Sequence, residues 1–207
     1  MMDALLTVCL EHSLNAPSVD AARFVASSGV PLQAAVSAGV AAIGEWHGGA
    51  VEQAAKMLQD GVKKMKESGL SSDQIAEETL QEYSKRREKI SGYGHPTHTD
   101  DPRTRKLLEI AKETQLMGLH VELAQSIESF TEKFLGKHLI MNVDGCIAAI
   151  ISDMAFDWRL GKGFFIVSRV PGLVAHAYEQ MYFDKPYKAP SWNEIVYTGT
   201  PERRAPT

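Results

Sequence analysis

The chain is poor in the chemistries that would classify it quickly. Only two cysteines, Cys9 and Cys146, occur in 207 residues, and no Cys-x-x-Cys pair is present. That leaves no disulfide framework and suggests a reducing compartment. No apolar run approaches the roughly 20 residues of a membrane-spanning helix. Acids outnumber bases, 26 against 22, for a net charge of −4, so the chain lacks the basic face that nucleic-acid binding needs. A Gly-rich phosphate loop of the P-loop kind is missing, which argues against ATP use. Internal repeats, low-complexity tracts and alternating strand patterns are missing too, apart from "EIVY" at 194–197. The opening "MMDALLTVCLEH" has no basic leader region and already carries acids, unlike a secretory signal. The expected location is cytoplasmic. An apolar-periodic segment begins at the first residue, so the architecture is expected to be shortened at its N-terminus.

What is present is helical period. Hydrophobic residues make up 44% and charged residues 23%, which suits one soluble domain or two small lobes. Helices are predicted over 3–13; from a Ser18 cap to Gly29; from Pro31 to Gly44; and over 49–66 and 73–88. Another starts at Asp101-Pro102, and the rest cover 119–135, 144–158 and 164–183. The fold class is all-α. Clustered Lys63, Lys64 and Lys66 read as a solvated helix face, and "TPERRAPT" as a frayed end.

Several polar residues gather at predicted helix ends rather than on helix faces. His12 lies in "EHSLNAP", His47 in "GEWHGGA", His95 in "SGYGHP" and Asp144 in "MNVDGC". Arg103 and Arg169 start or interrupt helices. Helix ends supply free N–H groups and a partial positive field, which suit anions and reacting atoms. Two arginines can fork onto two carboxylates. Neutral histidines can donate to a carbonyl oxygen as it gains charge. A carboxylate can move a proton at carbon. Together they fit a Claisen-type reaction, in which one carbonyl is enolised and a dicarboxylate supplies the other. Each residue also has a structural reading: Asp144 as an N-cap, His47 as a cap, Arg169 paired with a surface acid, His12 as a satisfied histidine. His120, His138 and His176 read as structural. A metal site at His95, His98 and Asp100 or Asp101 lacks a second ligand pair, so no metal is expected.

Taken in order, "EHSLNAPSVDAARFVASSG", "AAIGEWHGGAVEQAAKML", "SGYGHPTHTDDPR", "MNVDGCIAAIISDMAF" and "FFIVSRVPGLVAHAYEQ" resemble the citrate synthase superfamily. They lie nearer its citryl-CoA lyase branch, including the C-terminal module of ATP-citrate lyase. The resemblance implies a two-lobed helical fold, with a large lobe at 1–46 and 150–207 and a small lobe at 47–149. It implies that citryl-CoA is cleaved to acetyl-CoA and oxaloacetate, with a citrate or alkylcitrate synthase as the alternative and a non-catalytic helical paralogue as the rival of another class. It assigns catalysis to His47, His95 and Asp144, and dicarboxylate binding to His12, Arg103 and Arg169. It implies no prosthetic group, a CoA thioester as substrate, and a homodimer or higher homo-oligomer. Two departures stand out. The loop before Arg103 is one residue short, with Thr99 where the family carries a basic residue. The family's last carboxylate-binding arginine has no clear counterpart, and Lys188 is the candidate stand-in.

Overall fold

The computed structural model describes residues 1–95 and 99–200. Among these the chain is helical: α1 Met2–Leu5, α2 Pro17–Ala26, α3 Leu32–Ala41, α4 Ala50–Ser68, α5 Ser72–Arg86, α6 Pro102–Glu113, α7 Leu119–Leu135, α8 Val143–Asp153 and α9 Gly161–Tyr182. No strand forms among the described residues. The candidate strand at 194–197 instead follows a single 3₁₀ turn, Trp192–Glu194, in an exposed tail. Four residues without a paired neighbour have no ladder to join.

Local signals set most boundaries. Ser71 and Gln74 form a reciprocal capping box that starts α5. Gly69 and Gly136, both at φ +72°, stop α4 and α7 in the left-handed conformation that glycine adopts without strain. Two starts differ from expectation. α2 begins at Pro17, one residue before the expected Ser18 cap, because proline's fixed φ suits the first helical turn. α1 is far shorter than 3–13. Past Leu6 the chain leaves the helix, and the Cys9 N–H donates to Ser168 Oγ on α9 at 2.8 Å, so tertiary contact overrides the helical period.

The main core lies among α4, α5, α7 and α8, with Leu5, Cys9, Phe164 and Phe165 added from outside that group. Helix α8 is apolar almost all round, and Cys146 through Ser152 are buried, as expected of a helix enclosed by its neighbours. Each fully buried Leu or Ile, such as Leu58 or Ile147, contributes about 1.5–3 kcal/mol. A second group packs α2, α3 and α9 around smaller clusters centred on Leu173 and Ala177. Small residues let it close: a side chain at Gly39 would stand 2.8 Å from the Ser18 carbonyl oxygen. Helix α9 touches both groups.

Candidate active site

Three loops and two helix starts meet where the two helical groups face each other. The first loop, between α3 and α4, folds back on itself: Gly44 and His47 exchange backbone hydrogen bonds at 2.9 and 3.2 Å. That turn leaves Trp46 96% exposed and sends His47 back toward α2, where its Nε2 lies 2.8 Å from Ser18 Oγ. The ring of Phe165 meets the His47 ring edge-on at 5.7 Å.

The second loop carries His95. Its glycines allow a close backbone approach, and the partner is α8. Gly92 (φ +86°) lies against Gly145, and a side chain at Gly145 would stand 2.3 Å from the Gly92 carbonyl oxygen. Three hydrogen bonds fasten the loop to residues 140–142: Gly94 N–H to Ile140 O at 2.7 Å, Asn142 N–H to Gly92 O at 3.0 Å, and Asn142 Nδ2 to Gly94 O at 2.8 Å. The Tyr93 hydroxyl, buried below, donates to Ala124 O.

The same Asn142 caps α8, accepting from the N–H groups of Asp144 and Gly145. Asp144 is therefore not the cap. It sits in the first turn, and its Oδ1 is shielded from solvent with no hydrogen-bond partner among the described residues. Burial pushes its carboxyl up to about 6, against the pull of Arg103 and Arg169, while the neighbouring Asp101 pushes the same way as burial. A carboxyl in that range can both give and take a proton near neutrality.

Arg103 is not a solvated helix-start arginine. Asp101, 1% exposed, accepts from Arg103 N–H, Nε and Nη2 and from Val143 N–H. It thereby ties the start of α6 to the start of α8. Burial works to raise the Asp101 carboxyl, but the Arg103 hydrogen bonds and charge bring it below its ordinary value. Arg169 is not a surface residue either. It is 2% exposed, donates from Nε to the Cys9 carbonyl at 2.7 Å, and lies over Phe165. Its Nη1 is buried with no partner among the described residues. Burial lowers its pKa without removing its charge at neutral pH.

His12, His47, His95, Arg103, Asp144 and Arg169 all line one cavity of about 270 Å³. The six residues selected from sequence are thus brought together, although they span positions 12 to 169. The rings of His12 and His95 stand edge to face, 5.9 Å apart. Burial lowers the His47 pKa, and the charges of Arg169 and His12 lower it further, so its imidazole is neutral at pH 7. A neutral His47, two further imidazoles, a carboxyl raised to about 6 and two guanidinium groups face one space. They can hold carboxylates, polarise a carbonyl and transfer a proton at carbon.

Asp101 caps α6 as its sequence position suggests, but its hold on the Arg103 side chain and on Val143 was missed, as were the supporting roles of Ser18 and Asn142. Asp101 and Asn142 each precede a helix, and Asx residues there signal a cap; nothing local pairs Ser18 with His47. Of the alternative metal set, His98 lies outside the described residues, and Asp100 and Asp101 are held by Arg105 and Arg103. Lys188 is exposed, hydrogen-bonds Ser27 Oγ through its backbone N–H, and is not among the cavity-lining residues.

Residues 1–189 match the family described as citrate synthase, C-terminal domain. The chain belongs to the citrate synthase family. Among family members, it is 31% identical to the glyoxysomal citrate synthase of Cucurbita maxima over 207 residues, covering 96% of this chain and 38% of that protein. The chain therefore spans well under half of that curated relative. It superposes on citryl-CoA lyase from Hydrogenobacter thermophilus with a TM-score of 0.88 and 44% identity, covering 99% of this chain and 78% of that one. ATP citrate lyase from Methanothrix soehngenii shares the fold, with a TM-score of 0.82 at 24% identity over 97% of this chain and 34% of that one. The helical fold is thus the family's, and the cavity-lining residues lie within the matched segment 1–189.

Proposed function

We propose that the protein cleaves citryl-CoA into acetyl-CoA and oxaloacetate. One observation carries this reading: Asp144, whose Oδ1 is shielded from solvent with no hydrogen-bond partner among the described residues, shares a cavity with three histidines and two arginines. The likeness to a citryl-CoA lyase at 44% identity supports the direction of the reaction.

In this mechanism Arg103, Arg169 and His12 hold the free carboxylates of the substrate. The citryl hydroxyl gives its proton to His95, the C–C bond breaks, and its electron pair passes into the thioester to form an enolate while the carbinol carbon becomes the oxaloacetate ketone. His47 donates a hydrogen bond to the enolate oxygen. Ser18 O–H donating to His47 Nε2 would leave the histidine proton on Nδ1 for that purpose. Asp144 then protonates the enolate carbon, and the proton on His95 returns to Asp144, restoring the resting state. A larger groove of about 1180 Å³ between α4, α5 and residues 88–93 shares Glu45, Trp46, Ala50 and Asn142 with the cavity. It is the place for the CoA arm, with Lys89 at its wall for phosphate charge. Lobes at 1–46 with 150–207 and at 47–149 would close over the substrate and exclude water.

The citrate synthase reading is favoured by the 31%-identical relative that carries that name, and it uses the same residues. The two differ in whether water reaches the thioester. Incubation with citryl-CoA decides: acetyl-CoA with oxaloacetate marks a lyase, citrate with free CoA marks a synthase, and no turnover defeats both in favour of a non-catalytic relative. Dimerisation in this proposal uses the exposed apolar side chains of α9, including Val167, Val174 and Tyr178. A cytoplasmic setting fits the two free, buried cysteines; among the described residues no helix is long and apolar enough to cross a membrane.

A further inference from the structure

Three consecutive residues before His12 lie along one face of α9, and each makes a specific contact there. Cys9 N–H donates to Ser168 Oγ, and Cys9 C=O accepts from Arg169 Nε. The Leu10 carbonyl passes over Gly172, where a Cβ would stand only 2.0 Å from its oxygen. The exposed Glu11 carboxylate meets the buried His176 ring, with Oε2 at 2.6 Å from Nε2. Residues 168, 172 and 176 recur every fourth position, so they form one stripe on the helix. Nothing in the reaction proposed above uses Gly172, His176 or Glu11.

We infer that residues 9–11 are a strap whose docking on this stripe positions two substrate-holding groups at once: His12, the next residue, and Arg169, whose Nε the strap occupies. With Nε engaged by Cys9, Arg169 lines the cavity and its buried Nη1, without a hydrogen-bond partner among the described residues, is the donor left for a carboxylate oxygen. Gly172 and His176, together with Glu11, are thus positioning residues for the dicarboxylate end of the substrate. The geometry also gives α9 a reason to carry glycine inside a 22-residue helix, where it would otherwise weaken it. The inference rests on the proposed reaction only in taking His12 and Arg169 to bind carboxylates.

Its test is direct binding, by calorimetry, of oxaloacetate and separately of coenzyme A to the full chain and to Gly172→Ala, Glu11→Ala, His176→Leu and His176→Gln. Gly172→Ala, Glu11→Ala and His176→Leu are expected to weaken oxaloacetate by about tenfold, the size of one lost hydrogen bond to a charged group, and to leave coenzyme A within about twofold. His176→Gln keeps a side-chain donor toward Glu11 and is expected to recover most of the loss. Glu11 is exposed, so its variant keeps the experiment decisive should Gly172→Ala fail to fold. Folded variants that bind oxaloacetate like wild type, or that lose both ligands together, overturn the strap while leaving the reaction intact. Wild-type protein that binds neither ligand overturns both.

Discussion

The contact between Gly92 and Gly145 places His95 against the helix that carries Asp144, and adding one methyl group tests it. In Gly145→Ala the new Cβ would stand 2.3 Å from the Gly92 carbonyl oxygen, about 0.7 Å inside the 3.0 Å that real Cβ atoms keep, and 3.1 Å from Gly92 Cα. The atom it meets is backbone, so no rotamer change relieves the clash. The His95 loop must lift away from α8 and strain the hydrogen bonds from Gly94 to Ile140 and from Asn142 to Gly92 and Gly94. Alanine favours a helix over glycine by about 1 kcal/mol, whereas overpacking costs about 1–3 kcal/mol. The net stability loss is therefore small, about 2 kcal/mol at most. The effect on catalysis is larger, since a displacement near 1 Å between reacting groups costs on the order of 100-fold. The assay is kcat/KM for citryl-CoA beside thermal melting. Gly163→Ala in α9 serves as control: outside its own helix backbone and chain neighbours, no atom of the described residues lies within 4 Å of its added Cβ, and it is expected to gain up to about 1 kcal/mol with unchanged turnover. A folded Gly145→Ala enzyme with turnover within twofold of wild type would refute the claim that this backbone contact sets the distance between His95 and Asp144.

Two further predictions concern the same cavity. Asp144→Asn removes the acid and is expected to lower kcat by about 100-fold or more with the helical circular dichroism intact. It should also stabilise the fold. The carboxyl rises from 3.8 to about 6 on folding, so the native state binds its proton more tightly, and ionisation weakens the fold as pH rises through about 6. The asparagine variant should gain up to about 3 kcal/mol at pH 8, and the gain should vanish near pH 4; a melting-temperature difference that does not shrink on acidification would contradict the assignment. Ser18→Ala strips His47 of its 2.8 Å partner, and kcat is expected to fall about tenfold with little change in coenzyme A affinity. Equal kcat in that variant would show that the tautomer is set by another group.

Much of the site was legible because its chemistry is concentrated at helix ends. His47 and His95 sit among glycines, and Asp144 and Arg103 each stand one or two residues inside a helix start. Those positions are marked in the chain itself by Gly, Pro, Asn and Asp, whose backbone preferences are local. The structural alternatives to two site roles do not hold, and for one reason. A surface pairing for Arg169 fails because a helix interior gives no sign that residues 9–11 will cover it. A capping role for Asp144 fails because Asn142, two residues earlier, takes the N–H groups at the start of α8. The 3–13 helix read as continuous because its period persists beyond Leu6, where Ser168 on α9 draws the backbone away.

By itself the sequence determined the helices, most of their caps and the kinds of side chain available for chemistry, since period, capping and composition act over a few residues. The tertiary structure alone decided that Ser18 supports His47, that Asp101 ties Arg103 to the start of α8, and that Gly145 exists for Gly92. These pairings join residues up to 53 positions apart, where no local preference reaches. Burial is likewise a property of the packed molecule, and only enclosure by both helical groups could bring the Asp144 carboxyl to about 6.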